Sequence, residues 1–356
     1  MTITAHDFVA RHGILNALAM HSRGVDRADL NLLNAAYHPD ATADYGFFVG
    51  PAATLCEILA GAQKGSLPTL HRTCQSWIKV DGDHAVAESY VIAYAEEAEL
   101  QRFVFGRYLD RLESRNGDWR LVHRQYVLDG NTNRPNTAQR TDPPVASEHF
   151  TPAGAKGASD AGRVLMAFHQ AEFRNSPSFS QHGAEPMTVD ATALDVALSR
   201  AAIQDLCAMY SRGVDRGDKE LLASIFHADS TVISGVVNGT GAEFADGIID
   251  YVMANLDYCF HTVANQWIDI RGDQAVGEHY ALAHVTAGGQ DVLTGGRYID
   301  SYERRDGVWK IRSRTFVMDW STTHGSTMER DGFYEVLKTR GAFGKGDPVY
   351  AMWASN

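Results

Sequence analysis

Apolar residues recur at helical spacing through VDATALDVALSRAAIQDLCAMYSRGVD (189–215), which predicts a long amphipathic helix. A shorter helical stretch, DKELLASIFH, follows it, then a strand-like STVISGVVNG and a further helix. The same order stands near the beginning of the chain, where DLNLLNAAYH and ATADYGFFVG succeed an apolar-periodic segment ending in HSRGVD. Beyond the helices the period changes to two. LHRTCQSWIKV, HAVAESYVIAYAEE, RFVFGRYLDRLESR and WRLVHRQYVLDG are rich in β-branched and aromatic residues, and DG or NG turns that favour hairpins join the first pair and the last. Helices first and an antiparallel sheet afterwards predict an α+β unit, its N-terminal helices covering one face of a curved sheet.

The unit is written twice. Asp26 matches Asp215 at an offset of 189, and after one extra residue in the second copy an offset of 190 carries His71 to His261, Trp77 to Trp267 and Glu88 to Glu278. GRYLDRLESRNGDW (106–119) then meets GRYIDSYERRDGVW (296–309), Arg124 meets Arg314, and Asp129 meets Asp319. A domain-sized period with two copies means a duplicated domain, not a solenoid. The expected division is a first domain at 1–133, a Pro/Gly/Ser-rich linker or arm at 134–188, a second domain at 189–325 and a C-terminal tail at 326–356. RVLMAFHQAEF within the arm reads as a short helix. Tyr350, Met352 and Trp353 read as apolar anchors by which the tail wraps over a neighbouring domain or a pocket mouth.

Composition narrows the partners. A net charge of −12 over 356 residues, without a Lys/Arg-rich run, argues against nucleic acid or an anionic membrane as the main partner and leaves a small hydrophobic substrate. MTITAHDFVARHG lacks the pattern of a secretory signal and no apolar run is long enough to span a bilayer, so the cytoplasm is the expected location. Cys56, Cys74, Cys207 and Cys259 are too scattered for a zinc site or a disulfide framework. No metal and no organic cofactor are expected.

The SRGVDR helix end, the YHPD/FHAD segment, the His that opens the first long strand and the GRY-D-DG-W run resemble SnoaL-like domains of the nuclear transport factor two-like superfamily. The resemblance spans roughly 5–130 and 193–321, and is to the branch holding scytalone dehydratase, bile acid dehydratase and hexachlorocyclohexane dehydrochlorinase. It implies two cone-like domains arranged as an internal pseudo-dimer, with further oligomerisation open. It also implies an Asp–His dyad in each: Asp26 with His71, and Asp215 with His261. The family's Tyr or Lys five residues before the Asp falls on His21 and Tyr210, and its strand Arg on Arg124 and Arg314.

A histidine near neutral pKa suits the base of an elimination, and an aspartate on its far nitrogen would fix the tautomer and steady the imidazolium. The dyads are therefore the expected catalytic groups. His21, Tyr45, Arg124, Tyr210, Asn265 and Arg314 are the expected substrate-binding groups. Each has a plainer alternative: a post-helix Asp is often a cap, a strand His a satisfied core residue, and Arg124 or Arg314 a partner of Asp129 or Asp319. Trp119, Trp309, Tyr108, Tyr298, Gly106 and Gly296 read as structural. Both pockets are expected to work, with unlike preferences. The leading expectation is a cofactor-independent lyase removing water or another small group from a hydrophobic hydroxylated aromatic or alicyclic molecule. The alternatives are an isomerase or cyclase using the same base, and a non-catalytic small-molecule binder. A small subunit of a ring-hydroxylating oxygenase is disfavoured, having no need of a polar pocket.

Overall fold

The computed structural model describes residues 3–67, 69–136, 155–160 and 191–354. Most of the expected arm, including the helix read at 163–173, lies outside the described residues. The first domain runs α1 (Ala5–Asp26), α2 (Leu30–Ala35), β1 (Tyr37–Asp44), β2 (Val49–Pro51) and α3 (Ala52–Gln63). Its long strands are β3 (Thr69–Asp81), β4 (His84–Glu96), β5 (Leu100–Arg115) and β6 (Asp118–Pro135). The second repeats the order as α4 (Ala191–Arg216), α5 (Lys219–Ser224), β7 (Phe226–Ile233), β8 (Asn238–Gly239) and α6 (Gly241–Asn255). It continues through β9 (Tyr258–Arg271), β10 (Gln274–Ala287), β11 (Gln290–Arg305) and β12 (Val308–Gly325), and a tail helix α7 (Pro348–Ala354) ends the described chain. No helix among the described residues is long and apolar enough to cross a membrane.

The duplicated SRGVDR phrase has a mechanical reading. Asp29 and Asp218 cap α2 and α5 by accepting from the amides of Leu32 and Leu221, which frees Asp26 and Asp215 from capping duty. The glycine lets the short helix fold back: a Cβ at Gly24 would come within 2.7 Å of the Leu33 side chain, and one at Gly213 within 3.0 Å of Leu222. Ile14, Ala17, Leu18 and Val25 of α1 then enter the first core with Leu112 and Leu121 of the sheet.

The cone-like, wholly antiparallel sheet expected from sequence is not what forms. Each domain has an open six-stranded sheet, β2-β1-β6-β5-β4-β3 in the first and β8-β7-β12-β11-β10-β9 in the second. The two ends of each sheet do not pair, so neither closes. The sheets are also mixed, because β1 runs parallel to β6 and β7 parallel to β12.

The domains pack as an internal pseudo-dimer with an asymmetric contact. Tyr90 and Phe105 on the first sheet meet Tyr258 and Phe260 of β9. Gly130 makes room for this, since a Cβ there would lie 2.6 Å from the Tyr258 ring, whereas the equivalent residue of the second domain is Trp320. Behind the aromatic cluster, the fully buried Arg107 bonds Glu88, Asp129 and Asp347 at 2.6–2.9 Å. Arg216 of α4 joins Asp129 at 3.1 Å and Asp347 at 3.2 Å. Val349 and Met352 of α7 cover Val86, Leu109 and Val127, and the Trp353 ring lies tilted against Trp77 with centroids 4.9 Å apart, so the tail wraps over the first domain. Among the described residues nothing covers the corresponding face of the second sheet, where Trp267, Tyr280 and Ile299 are exposed.

Candidate active site

Each domain brings its helix-end Asp to the His that opens its first long strand. In the first, the His71 ring Nδ1 lies 2.7 Å from Asp26 Oδ1, and the His71 backbone N–H donates to Asp26 Oδ2 at 2.8 Å. In the second, the corresponding distances to Asp215 are 2.5 Å and 2.8 Å. Two-point attachment fixes the ring, and an acceptor-only carboxylate on Nδ1 assigns the proton there and leaves Nε2 as the basic atom. Both carboxylates are buried, and both histidines keep about a fifth of their side chains exposed. The dyads differ at one neighbour: Thr69 donates its hydroxyl to Asp26 Oδ1 at 3.2 Å, while the same position in the second domain holds the buried Cys259. Burial, followed by the charge of Asp215, pushes the Cys259 thiol well above its usual pKa, so it stands as a neutral thiol.

His261 opens on a cavity of about 220 Å³. Its walls are largely apolar, formed by Val214, Val236, Phe244, Ile248, Val252, Ala281, Ala283 and Phe316 among others, with Tyr210, Tyr251, Ser234, Tyr298 and Thr294 as polar members. Tyr210 and Tyr298 meet edge-on with ring centroids 5.2 Å apart. The Arg314 guanidinium lies 4.3 Å from one ring and 4.4 Å from the other. Burial raises the pKa of both phenols, against the pull of Arg314, so both remain protonated donors.

The first domain fills the matching space. Tyr45 stands where the second domain has Ser234, and its ring stacks on Tyr126 at 5.6 Å, Tyr126 being the equivalent of Phe316. The Tyr45 hydroxyl reaches His21 Nε2 at 3.2 Å, and Tyr37 holds His21 Nδ1 at 3.0 Å. With both nitrogens engaged and the ring buried, His21 is driven well below its normal pKa, by desolvation first and then by Arg124 and His71. It is therefore a neutral part of the packing.

The strand arginines do not face the cavity. Arg124 grips Asp110 with two bonds of 2.7 Å, and Arg314 grips Asp300 at 2.9 and 2.6 Å, all four groups being buried. Asp129 and Asp319, the carboxylates that sequence suggested, bond Arg107 and Arg297 instead. Each of these two arginines keeps a buried Nη1 without a hydrogen-bond partner among the described residues and stacks under tyrosine rings, Arg124 at 3.9 Å from Tyr108. Asn265 is exposed and away from the cavity lining. Tyr298, read from sequence as structural, lines the cavity. Ser234 was legible only as the partner of Tyr45 in the repeat.

Among the described residues, two groups have metal-ligand chemistry: Cys207, His279 and Asp300, and Asp215, Cys259 and His261. In the first, both Asp300 oxygens are held by Arg314, and Tyr302 bonds Asp300 and His279. In the second, His261 Nδ1 is held by Asp215. The Asp300 oxygens, His279 Nε2 and His261 Nδ1 are thus committed to partners within the protein, and a cation at Asp300 would have to displace a guanidinium.

The SnoaL-like domain family matches residues 8–125 and again 195–315. Hexachlorocyclohexane dehydrochlorinase 1 of Sphingobium indicum is 32% identical over 137 residues, which covers 36% of this chain and 87% of that protein. Gamma-hexachlorocyclohexane dehydrochlorinase from the same species is 32% identical over 134 residues, covering 36% of this chain and 86% of that protein. A crystal structure of a type 2 hexachlorocyclohexane dehydrochlorinase shares 32% identity over 37% of this chain and 93% of that chain, at a TM-score of 0.36. A type 3 dehydrochlorinase from Novosphingobium barchaimii gives 32% identity, the same shares and a TM-score of 0.35. With these two matches together spanning more than half of its residues, this chain belongs to the SnoaL-like domain family as a tandem pair.

Proposed function

We propose that this chain is a cofactor-independent, dehydratase-like lyase that removes water or another small group from a hydrophobic hydroxylated aromatic or alicyclic molecule. The observation that carries the reading is the Asp215–His261 dyad opening on a largely apolar cavity that also holds two protonated phenols. The names of the dehydrochlorinases, to which about 36% of this chain is similar, support elimination as the reaction class.

In the proposed mechanism, His261 Nε2 takes a proton from a substrate carbon, and the C–H electrons form the new double bond as the adjacent bond to the leaving group breaks. Asp215 holds the Nδ1–H throughout and steadies the imidazolium, which later returns its proton to solvent or to the leaving group. Tyr210 and Tyr298 donate to the departing oxygen or halide. Arg314, below their rings, acts through them as a fixed positive charge. Apolar walls exclude water and strengthen these contacts. No step calls for a metal or an organic cofactor. The second cavity is the principal site in this reading, because Tyr45 fills the matching volume of the first.

The test is turnover by His71→Ala, His261→Ala and the double variant against a panel of hydroxylated aromatic, steroid and halogenated compounds. His261→Ala should abolish most of the activity and His71→Ala little of it. Full activity in the double variant would exclude the dyad mechanism.

A further inference from the structure

We infer that Gln75, a residue of the first domain, is a positioning residue for His261 in the second. The inference rests on the reading of His261 as the base. β9 is the edge strand of its sheet, so among the described residues the outward backbone groups around His261 have no neighbouring strand to bond. Two side chains supply those bonds. Asp215 accepts the His261 N–H, while Gln75 donates its Nε2 hydrogen to the His261 carbonyl at 2.9 Å and accepts the Val263 N–H on Oε1 at 3.0 Å. The Gln75 amide is buried and brackets Thr262, tying down the main chain at the base and two residues beyond it.

The other half of the dyad is held from the same side. Arg216, directly after Asp215, is bonded by Asp129 of the first domain and Asp347 of the tail. The relation is not reciprocal. Asn265, which stands where Gln75 stands in the repeat, is exposed, and Arg27, the counterpart of Arg216, bonds the Ala155 carbonyl of the arm. The first domain thus serves as an in-chain scaffold for the second site. A dyad of this kind depends on sub-ångström alignment, and a misplacement of about 1 Å costs roughly a hundredfold in rate.

The test uses the full chain labelled with ¹⁵N-histidine, in which the downfield Hδ1 proton of each Asp-bonded imidazole reports its hydrogen bond. His71→Ala and His261→Ala assign the two signals. Gln75→Leu removes both bonds from Gln75, and Gln75→Met does so with an unbranched side chain of similar length, in case the branched leucine disturbs packing. In either folded variant the His261 signal should be lost or move upfield while the His71 signal stays in place. For any panel compound that is turned over, kcat should fall about ten- to a hundredfold with KM little changed. An unmoved His261 signal overturns the inference, and so does equal loss of both signals, which would mean general loss of structure. If His261→Ala retains full turnover while the Gln75 variants still move the His261 signal, His261 is not the base and the positioning stands alone.

Discussion

Arg107 and Arg297 occupy equivalent positions, pair with equivalent carboxylates and should differ sharply in what they contribute. Arg107 is fully buried and makes five hydrogen bonds of 2.6–2.9 Å to Glu88, Asp129 and Asp347. With Arg212 and Arg216 it balances three carboxylates against three guanidinium groups, and Asp347 is held well below the usual carboxylate range because Arg107 and Arg216 outweigh the effect of burial. Replacing Arg107 by Met leaves a buried negative charge uncompensated, and breaking a buried pair in this way costs about 3–5 kcal/mol. Arg297 bonds Glu278 and Asp319 at 2.9 Å, but the side chains are about a third exposed and water screens them. Arg297→Met should therefore cost less than about 1 kcal/mol. Equilibrium urea unfolding of the two variants beside the parent chain measures both losses. Equal losses would refute the argument that burial by the second domain and the tail gives the Arg107 cluster its weight.

Two further predictions concern the cavity and acid stability. Ser234→Tyr should place in the second domain the ring that Tyr45 supplies in the first, abolishing turnover while the urea midpoint holds or rises; retained turnover would mean that the reaction does not use this cavity. His279 and His284 are buried and held at about 4 by desolvation, well below the 6.5 of the unfolded chain. The unfolded state thus binds the extra protons, and stability present above pH 6.5 is lost as pH falls toward 4. Between pH 7.5 and 5 the loss should be about 2 kcal/mol per histidine. Unfolding free energies that are flat over this range would show that these rings are not held neutral by the fold.

How far the sequence could be read depends on whether the deciding interaction is local. The duplicated register brought Asp26 to His71 and Asp215 to His261 because helix end and strand start recur together in both copies. The arginine partners were misjudged for a definite reason. A regular hairpin closed by Arg115 and Asp118 would set Asp110 opposite His123, but a bulge between Arg111 and Leu112 moves Arg124 into that place. The bulge between Ser301 and Tyr302 does the same for Asp300 and Arg314. No residue pattern announces a one-residue slip. The open sheet was hidden too, because the parallel pairing of β1 with β6 joins segments about eighty residues apart.

Tyr45 and Ser234 are equivalent positions in the repeat, and the difference between them is one of volume as well as polarity. In a pocket of about 220 Å³ a phenol ring matters first by its volume, so the copy that carries Tyr45 is the one that is filled. The same holds for Gly130 and Trp320. A missing side chain in one copy admits Tyr258 and lets the first domain grip β9, while an indole in the other turns the equivalent face outward. Duplication kept the dyad in both domains. It is the unmatched positions around the dyads that leave one pocket open and make its geometry depend on the other domain.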